Sequence, residues 1–372
     1  MDLTLSSEQQ LLQETIRRIV SNEFLPLEQA HGDRRLPAEI RRHLSAIVSS
    51  MGIEAPTTPA EIGGNGLSAL DLGLFLEETG RSILEDCTGA STLVDGDPPL
   101  PYLVARSDQG DHVVKSAIES GKRIAAAPPA LGEMGTVTIT SSGGDFVLNG
   151  LLPRVEQWHD CHSVLVFATL TDEPIFLSIS PSSPGLSLLE EVPSDGRIGE
   201  SSVTLRFENC RVSKELRVGS EGGGATIHDQ WLAVESLKTC ARLGGLVDRA
   251  ARAARDYAKQ RVTFGQPLSN RQAIQWKIVD TEIDLIASRW MVRRALAERD
   301  ETGGSSASAA RVRLYVLPAL WRGIDESLQI FGGVGFTRDL PIESMWRHVR
   351  FQLDRYGSRR ENQRAVFGSL LA

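Results

Sequence analysis

Arg261-Val-Thr-Phe264-Gly265 and Gln329-Ile-Phe-Gly332-Gly333-Val-Gly335 are the segments of this 372-residue chain whose residue types and spacing could do specific chemistry. Glycine has no Cβ, so main-chain amides at Gly332 and Gly333 can come close to a pyrophosphate. Arg261 supplies a fixed positive charge, and Phe264 a flat apolar surface on which adenine can rest. Taken together, these groups suit a dinucleotide held at a helical interface. Each is weak alone, because a GGxG loop is more often an ordinary helix stop and an Arg near a Phe usually packs at the surface. His159 and His162, close to Asp160 and Cys161, match no helical ligand spacing, so no metal site is expected. His348, beside Arg347 and Arg350, reads as a surface or intersubunit residue.

Helices must position these groups. Leu11, Leu12, Ile16, Ile19, Val20 and Phe24 recur at helical spacing behind Ser6 or Ser7, either of which can cap the first amides. A second helix is expected over Pro37–Met51, and a third after Gly63-Gly64-Asn65-Gly66, with Ser68 as its cap. From about Lys122 the pattern changes to β-branched runs at Thr136–Thr140, Phe146–Asn149, Val164–Ala168, Ile175–Ile179 and Ser202–Phe207, which predict a mainly antiparallel unit. Beyond Gly222-Gly223-Gly224 the chain is helical again, near 227–260, 270–300, 305–331 and 341–355. The expected organisation is α+β: a helical domain at 1–121, a middle antiparallel β-barrel at 122–222 and a four-helix bundle at 223–372. No βαβ alternation occurs, which argues against a doubly wound nucleotide-binding sheet.

Composition narrows the function. Hydrophobic residues make up 41% and charged residues 24%, enough apolar material for a large core. The balance of 40 Lys+Arg against 48 Asp+Glu leaves a net charge of −8, which argues against nucleic acid as a partner. Cys87, Cys161, Cys210 and Cys240 are far apart and show no CxxC spacing, so a reducing, cytoplasmic setting is expected. Neither a signal peptide nor a membrane span is expected.

The two glycine- and arginine-bearing motifs, in this order and in a helix–strand–helix chain, resemble the acyl-CoA dehydrogenase family of flavoproteins. Ser7-Glu-Gln-Gln-Leu-Leu, Gly63-Gly-Asn-Gly-Leu-Ser with Glu77-Glu78, Phe146-Val-Leu-Asn-Gly150 and Phe207-Glu-Asn-Cys-Arg-Val212 extend the resemblance over nearly the whole chain. The resemblance implies FAD as cofactor, with Arg261, Phe264, Gln329, Gly332, Gly333 and Ser358 as cofactor-binding residues, the first five serving largely the FAD of a neighbouring subunit. It also implies α,β-desaturation of an acyl thioester: a carboxylate removes the α-proton while the β-hydrogen leaves as hydride to flavin, and hydrogen bonds polarise the thioester carbonyl. Acyl-CoA or an acyl-carrier thioester is the implied substrate, a dimer at minimum and commonly a homotetramer the implied assembly, and an electron-transfer acceptor the implied partner.

The family's usual base, the Glu of a Tyr-Glu-Gly-Thr segment, has no counterpart in Asp354-Arg-Tyr356-Gly357-Ser358. Aligning on Gln363-Arg364 places Gly357 there, and counting from Pro341 places Tyr356. A branch of the family carries its base on the helix before the Arg-x-x-Phe-Gly motif, which is Glu235 here, with the Gly357 N–H left to donate to the thioester. The plainer reading of Glu235 is a solvated helix contact with Lys238. The family's flavin-holding segments are replaced by Ala127–Met134 and by Arg154-Val-Glu156-Gln-Trp158, and its substrate-flanking Asp and Arg by Ala233 and Ser236. That pattern leaves a second expectation, a non-catalytic subunit completing the FAD site of a catalytic homologue in an α2β2 heterotetramer, as in steroid-degrading branches. A third is a biosynthetic relative acting on a carrier-protein thioester.

Overall fold

Ser6 opens the first helix by a reciprocal cap, its hydroxyl accepting from the Gln9 amide while the Gln9 side chain accepts from the Ser6 amide, in this computed structural model. The structure describes residues 4–31, 37, 39–40, 43–44, 46–47, 55–84, 99–127, 137–159, 161–171, 173–193, 201–353 and 355–371. Most of the helix expected over Pro37–Met51, Cys87 and most of the Ala127–Met134 segment lie outside them. Helix α1 (Ser7–Ile19) passes through a π-helical turn at Val20–Phe24 into α2 (Leu25–His31). Helix α3 (Ala69–Thr79) is capped by Ser68 with Asp71 in the same reciprocal way, and α4 (Pro99–Ala105) and α5 (Asp108–Ser120) follow.

Among the described residues the middle of the chain forms one sheet from β1 (Ile124–Ala126), β2 (Thr138–Ser142), β3 (Asp145–Val155), β4 (Ser163–Leu170), β5 (Glu173–Ile179), β6 (Leu186–Pro193), β7 (Ser201–Ser213) and β8 (Arg217–Val218). The order is β6-β7-β3-β2-β4-β5-β8, with β1 parallel beside β4. This corrects the expected closed barrel. Strands β6 and β8 are unjoined edges, and the two halves of the sheet meet at the single parallel pair Thr138–Thr169. Alternation along β3 and β7 buries one face, where Phe146, Leu148, Leu152, Leu205 and Phe207 share one apolar core with Val166 and Leu177 of the more continuously buried β4 and β5. Alternation specifies which side chains point inward; closure depends on register between distant strands, which it does not specify.

The last part is built from α6 (Gly224–Gln260), α7 (Gln272–Thr302), α8 (Ser306–Phe331) and α9 (Ile342–Gln352). A short hairpin, β9 (Val262–Thr263) with β10 (Gln266–Pro267), joins α6 to α7. A further helix, α10 (Arg359–Leu371), packs on α8 and was not expected. Its sequence, Arg-Arg-Glu-Asn-Gln-Arg, carries little apolar periodicity, so tertiary contact rather than an amphipathic pattern holds it. Ile16, Phe24, Leu72 and Leu76 from the first helices share one core with Leu237, Leu296 and Leu320 of the last. Glycine makes this contact close: a Cβ on Gly80 would stand 2.3 Å from the Arg242 carbonyl oxygen, and one on Gly245 1.8 Å from that of Glu77. No described helix is long and apolar enough to cross a membrane.

Candidate functional site

Two regions carry the sequence candidates. At one end of the bundle α6 and α8 finish side by side, since the Tyr257 and Phe331 rings lie with centroids 4.8 Å apart. Arg261 follows Tyr257 by one turn as the helix cap, and Gly332 follows Phe331 directly, so the Arg261–Gly265 and Gln329–Gly333 segments share this rim. Phe264 is 97% exposed at φ +51°, with the Arg271 guanidinium 5.8 Å from its ring centroid. Gly332 sits at φ +63°, a conformation that disfavours side chains, and nothing lies within 4 Å of where a Cβ on Gly332 or Gly333 would stand. Gln329 is exposed beside them. An exposed ring, a guanidinium and open glycine backbone fit the adenine and phosphate half of a dinucleotide. Ser358 lies elsewhere: its hydroxyl and amide both donate to Glu361, at 2.7 and 2.8 Å, capping α10.

The second region is buried. Glu235 is 1% exposed, with Oε2 3.3 Å from Lys238 Nζ and Oε1 3.7 Å from an Arg242 guanidinium nitrogen. The Lys238 contact therefore exists, but it is a buried ion pair and not a solvated one, because every residue of α6 from Leu232 to Leu243 is buried. One turn further, Thr239 Oγ1 and the Tyr356 hydroxyl are 2.6 Å apart, and Tyr356 is 1% exposed. Gly357 follows at φ +89° in a turn tied to the sheet by the Arg355–Glu156 ion pair at 3.0 Å. The Arg154–Trp158 segment thus ends β3 in an irregular stretch, with Arg154 and Gln157 at positive φ, and supplies the Glu156 anchor. Trp158 packs against the sheet core.

Sequence reasoning missed Arg313 and Asn362. Both are buried, and Arg313 Nε donates to Asn362 Oδ1 at 2.6 Å while a terminal nitrogen donates to Ser236 Oγ at 2.9 Å. The available signal was a charged residue inside the apolar stripe Ala309, Ala310, Val316, Leu317 and Leu320 of α8. His348 is half-buried and borders a small cavity with Arg242 and Leu246, not an open surface. His159 pairs with Glu191 at 3.0 Å. Cys161, Cys210 and Cys240 are free and buried, and burial pushes the Cys240 thiol up to about 12, which leaves it inert at neutral pH. A cleft of about 480 Å³ opens between α3, α4, α6 and the end of α7, bordered by Leu72, Leu103, Val234, Lys238 and Arg299.

Comparisons with known proteins identify the family. The acyl-CoA dehydrogenase N-terminal domain family matches residues 6–94, and the acyl-CoA dehydrogenase C-terminal domain family residues 222–357, together more than half of the chain. The mitochondrial short-chain specific acyl-CoA dehydrogenase of Homo sapiens is 28% identical across 97% of this chain and 89% of its own. The (R)-benzylsuccinyl-CoA dehydrogenase of Thauera aromatica is 27% identical across 94% of this chain and 92% of its own. Among solved structures, butyryl-CoA dehydrogenase from Megasphaera elsdenii superposes with a TM-score of 0.87 at 21% identity over the whole of both chains. The structure of PigA with FAD and proline gives 0.87 at 20% identity, covering 100% of this chain and 99% of that one. The chain belongs to the acyl-CoA dehydrogenase family of FAD-dependent oxidoreductases.

Proposed function

We propose that this chain desaturates an acyl thioester at its α,β-bond, with FAD shared between subunits. The observation that carries the reading is the rim where Tyr257 meets Phe331, which gathers Arg261, Phe264, Gln329, Gly332 and Gly333 at one exposed end of the bundle. These residues would hold the adenine and phosphate half of FAD. When bound, FAD supplies the acceptor for the hydride that leaves the β-carbon. Glu235 is the carboxylate assigned to α-proton removal, and the Gly357 N–H is the donor assigned to the thioester oxygen. The 480 Å³ cleft is of a size to take an acyl group, with Leu72, Leu103 and Val234 as apolar wall and Lys238 and Arg299 at its polar parts.

A rim this exposed in one chain is completed by another. Trp276, Val279, Ile283, Ile286 and Trp290 form a row along α7 at three- and four-residue spacing, each 45 to 60% exposed. Such a row suits helix packing between copies, and the assembly we infer is a homotetramer working with a separate electron acceptor in the cytoplasm. The Lys238 and Arg242 pairs of Glu235 favour the second reading, a subunit that completes the FAD site of a catalytic homologue, because a base must leave its cations to take a proton.

The deciding measurement is the visible spectrum of the purified protein. A yellow homo-oligomer with about one FAD per chain supports the enzyme. A colourless protein that turns yellow only when coexpressed with a homologous chain supports the partner subunit. In the enzyme reading, Glu235→Gln lowers the oxidation rate at least a hundredfold with FAD retained; an unchanged rate removes Glu235 from the chemistry.

A further inference from the structure

Asn362 turns the donors of one buried cation into donors for a peptide turn. Its Oδ1 accepts from Arg313 Nε, which settles which way the amide faces. Nδ2 is then left to the carbonyl oxygens of Tyr356, Gly357 and Ser358, at 3.3, 3.3 and 3.1 Å. Arg313 is anchored on α6 through Ser236, the residue next to Glu235. It is 5% exposed and, among the described residues, its hydrogen bonds go to Ser236 and Asn362 and none to a carboxylate. A buried guanidinium without a carboxylate is costly, and a leucine or methionine would fill an apolar stripe at less cost. The arrangement orders a turn whose central residue, Gly357, stands at φ +89°.

We propose that Arg313 and Asn362 are positioning residues that fix the Tyr356–Ser358 turn and thereby the direction of the Gly357 peptide towards the thioester. The assignment rests on the reading above that this turn faces the substrate. Arg313 brings a cation from α8 to the side of residue 236, and Asn362 relays its hold to three successive carbonyls. Neither side chain touches the reacting atoms.

Asn362→Asp separates positioning from packing. At pH 7.5 an aspartate accepts from Arg313 at least as well as asparagine, yet its side chain has no N–H for the three carbonyls and turns an oxygen towards them, leaving only the main-chain N–H of residue 362 on the Ser358 carbonyl. The FAD-loaded protein is compared with the parent by thermal melting, by hydrogen–deuterium exchange over peptides spanning 355–360, and by calorimetric binding of butyryl-CoA. We expect a melting temperature at or above the parent's, faster exchange confined to 355–360, and roughly tenfold weaker binding of butyryl-CoA. Arg313→Lys, too short and too narrow a donor to hold both Ser236 and Asn362, should give the same local exchange, and it replaces Asn362→Asp if that variant does not fold. Unchanged exchange at 355–360 overturns the proposal. If the parent binds no butyryl-CoA while exchange responds, the positioning role stands and the thioester reading of the turn falls.

Discussion

The exposed rim where α6 and α8 end and the buried Glu235 region within α6 differ in how complete one chain leaves them. At the rim, Phe264 is almost fully exposed and Gly332 and Gly333 face open space. At Glu235, one carboxylate, two cations, a threonine, a tyrosine and the Arg313–Asn362 pair are packed out of water. A surface that waits for a ligand or another chain can leave its groups unsatisfied, because water serves them meanwhile. A buried polar cluster must close its bonds within the chain, since an unmet buried group costs about 1–3 kcal/mol. The rim is therefore open to solvent and the interior closed in its geometry.

That contrast can be broken most decisively at Glu235. Glu235→Gln leaves Lys238 and Arg242 buried without their carboxylate and should lower unfolding stability by about 3 kcal/mol, read from urea titration. A change below ~0.5 kcal/mol would place the region among solvated contacts after all. Arg261→Ala, at the rim, should weaken FAD retention by about 2 kcal/mol, roughly thirtyfold, with little effect on urea stability. Equal loss in both assays would erase the distinction between the two regions.

Acid should act on the interior before the rim. Burial pushes the Glu78 carboxyl up, but hydrogen bonds and charge from Arg17 and Arg81 outweigh it, so its net shift is downward. Asp248 is likewise raised by burial and lowered further by Arg252 and Arg81. Carboxyls depressed in the folded state contribute stability above their unfolded values, 4.5 and 3.8, and that contribution is lost as pH falls through the folded ones. Melting temperature should hold from pH 7 to about 5 and decline below about 4; Arg81→Met should flatten that decline. The smallest effect is expected for Phe264→Ala, which should alter urea stability by less than ~0.5 kcal/mol while weakening FAD retention.

Much of the fold was legible because helices and strands announce themselves by period. Ser6, one of the two candidates, and Ser68 are caps, and the bundle helices begin and end close to the expected residues. Strand β6 escaped notice because Leu186–Pro193 lies at a sheet edge and alternates poorly. Arg313 and Asn362 were illegible as a pair, since they are distant in sequence and meet only when α10 packs on α8.

The sequence alone determined which faces are apolar, where the four long C-terminal helices start and stop, and which segments carry arginine, phenylalanine and glycine together, because these depend on neighbours three or four residues away. The tertiary structure decided that the sheet stays open, that Glu235 is buried between two cations, and that Tyr356–Ser358 hangs from Asn362. Those outcomes depend on contacts between residues far apart in the chain, where the free energy of a hydrogen bond or ion pair is set by the burial that only the folded packing creates.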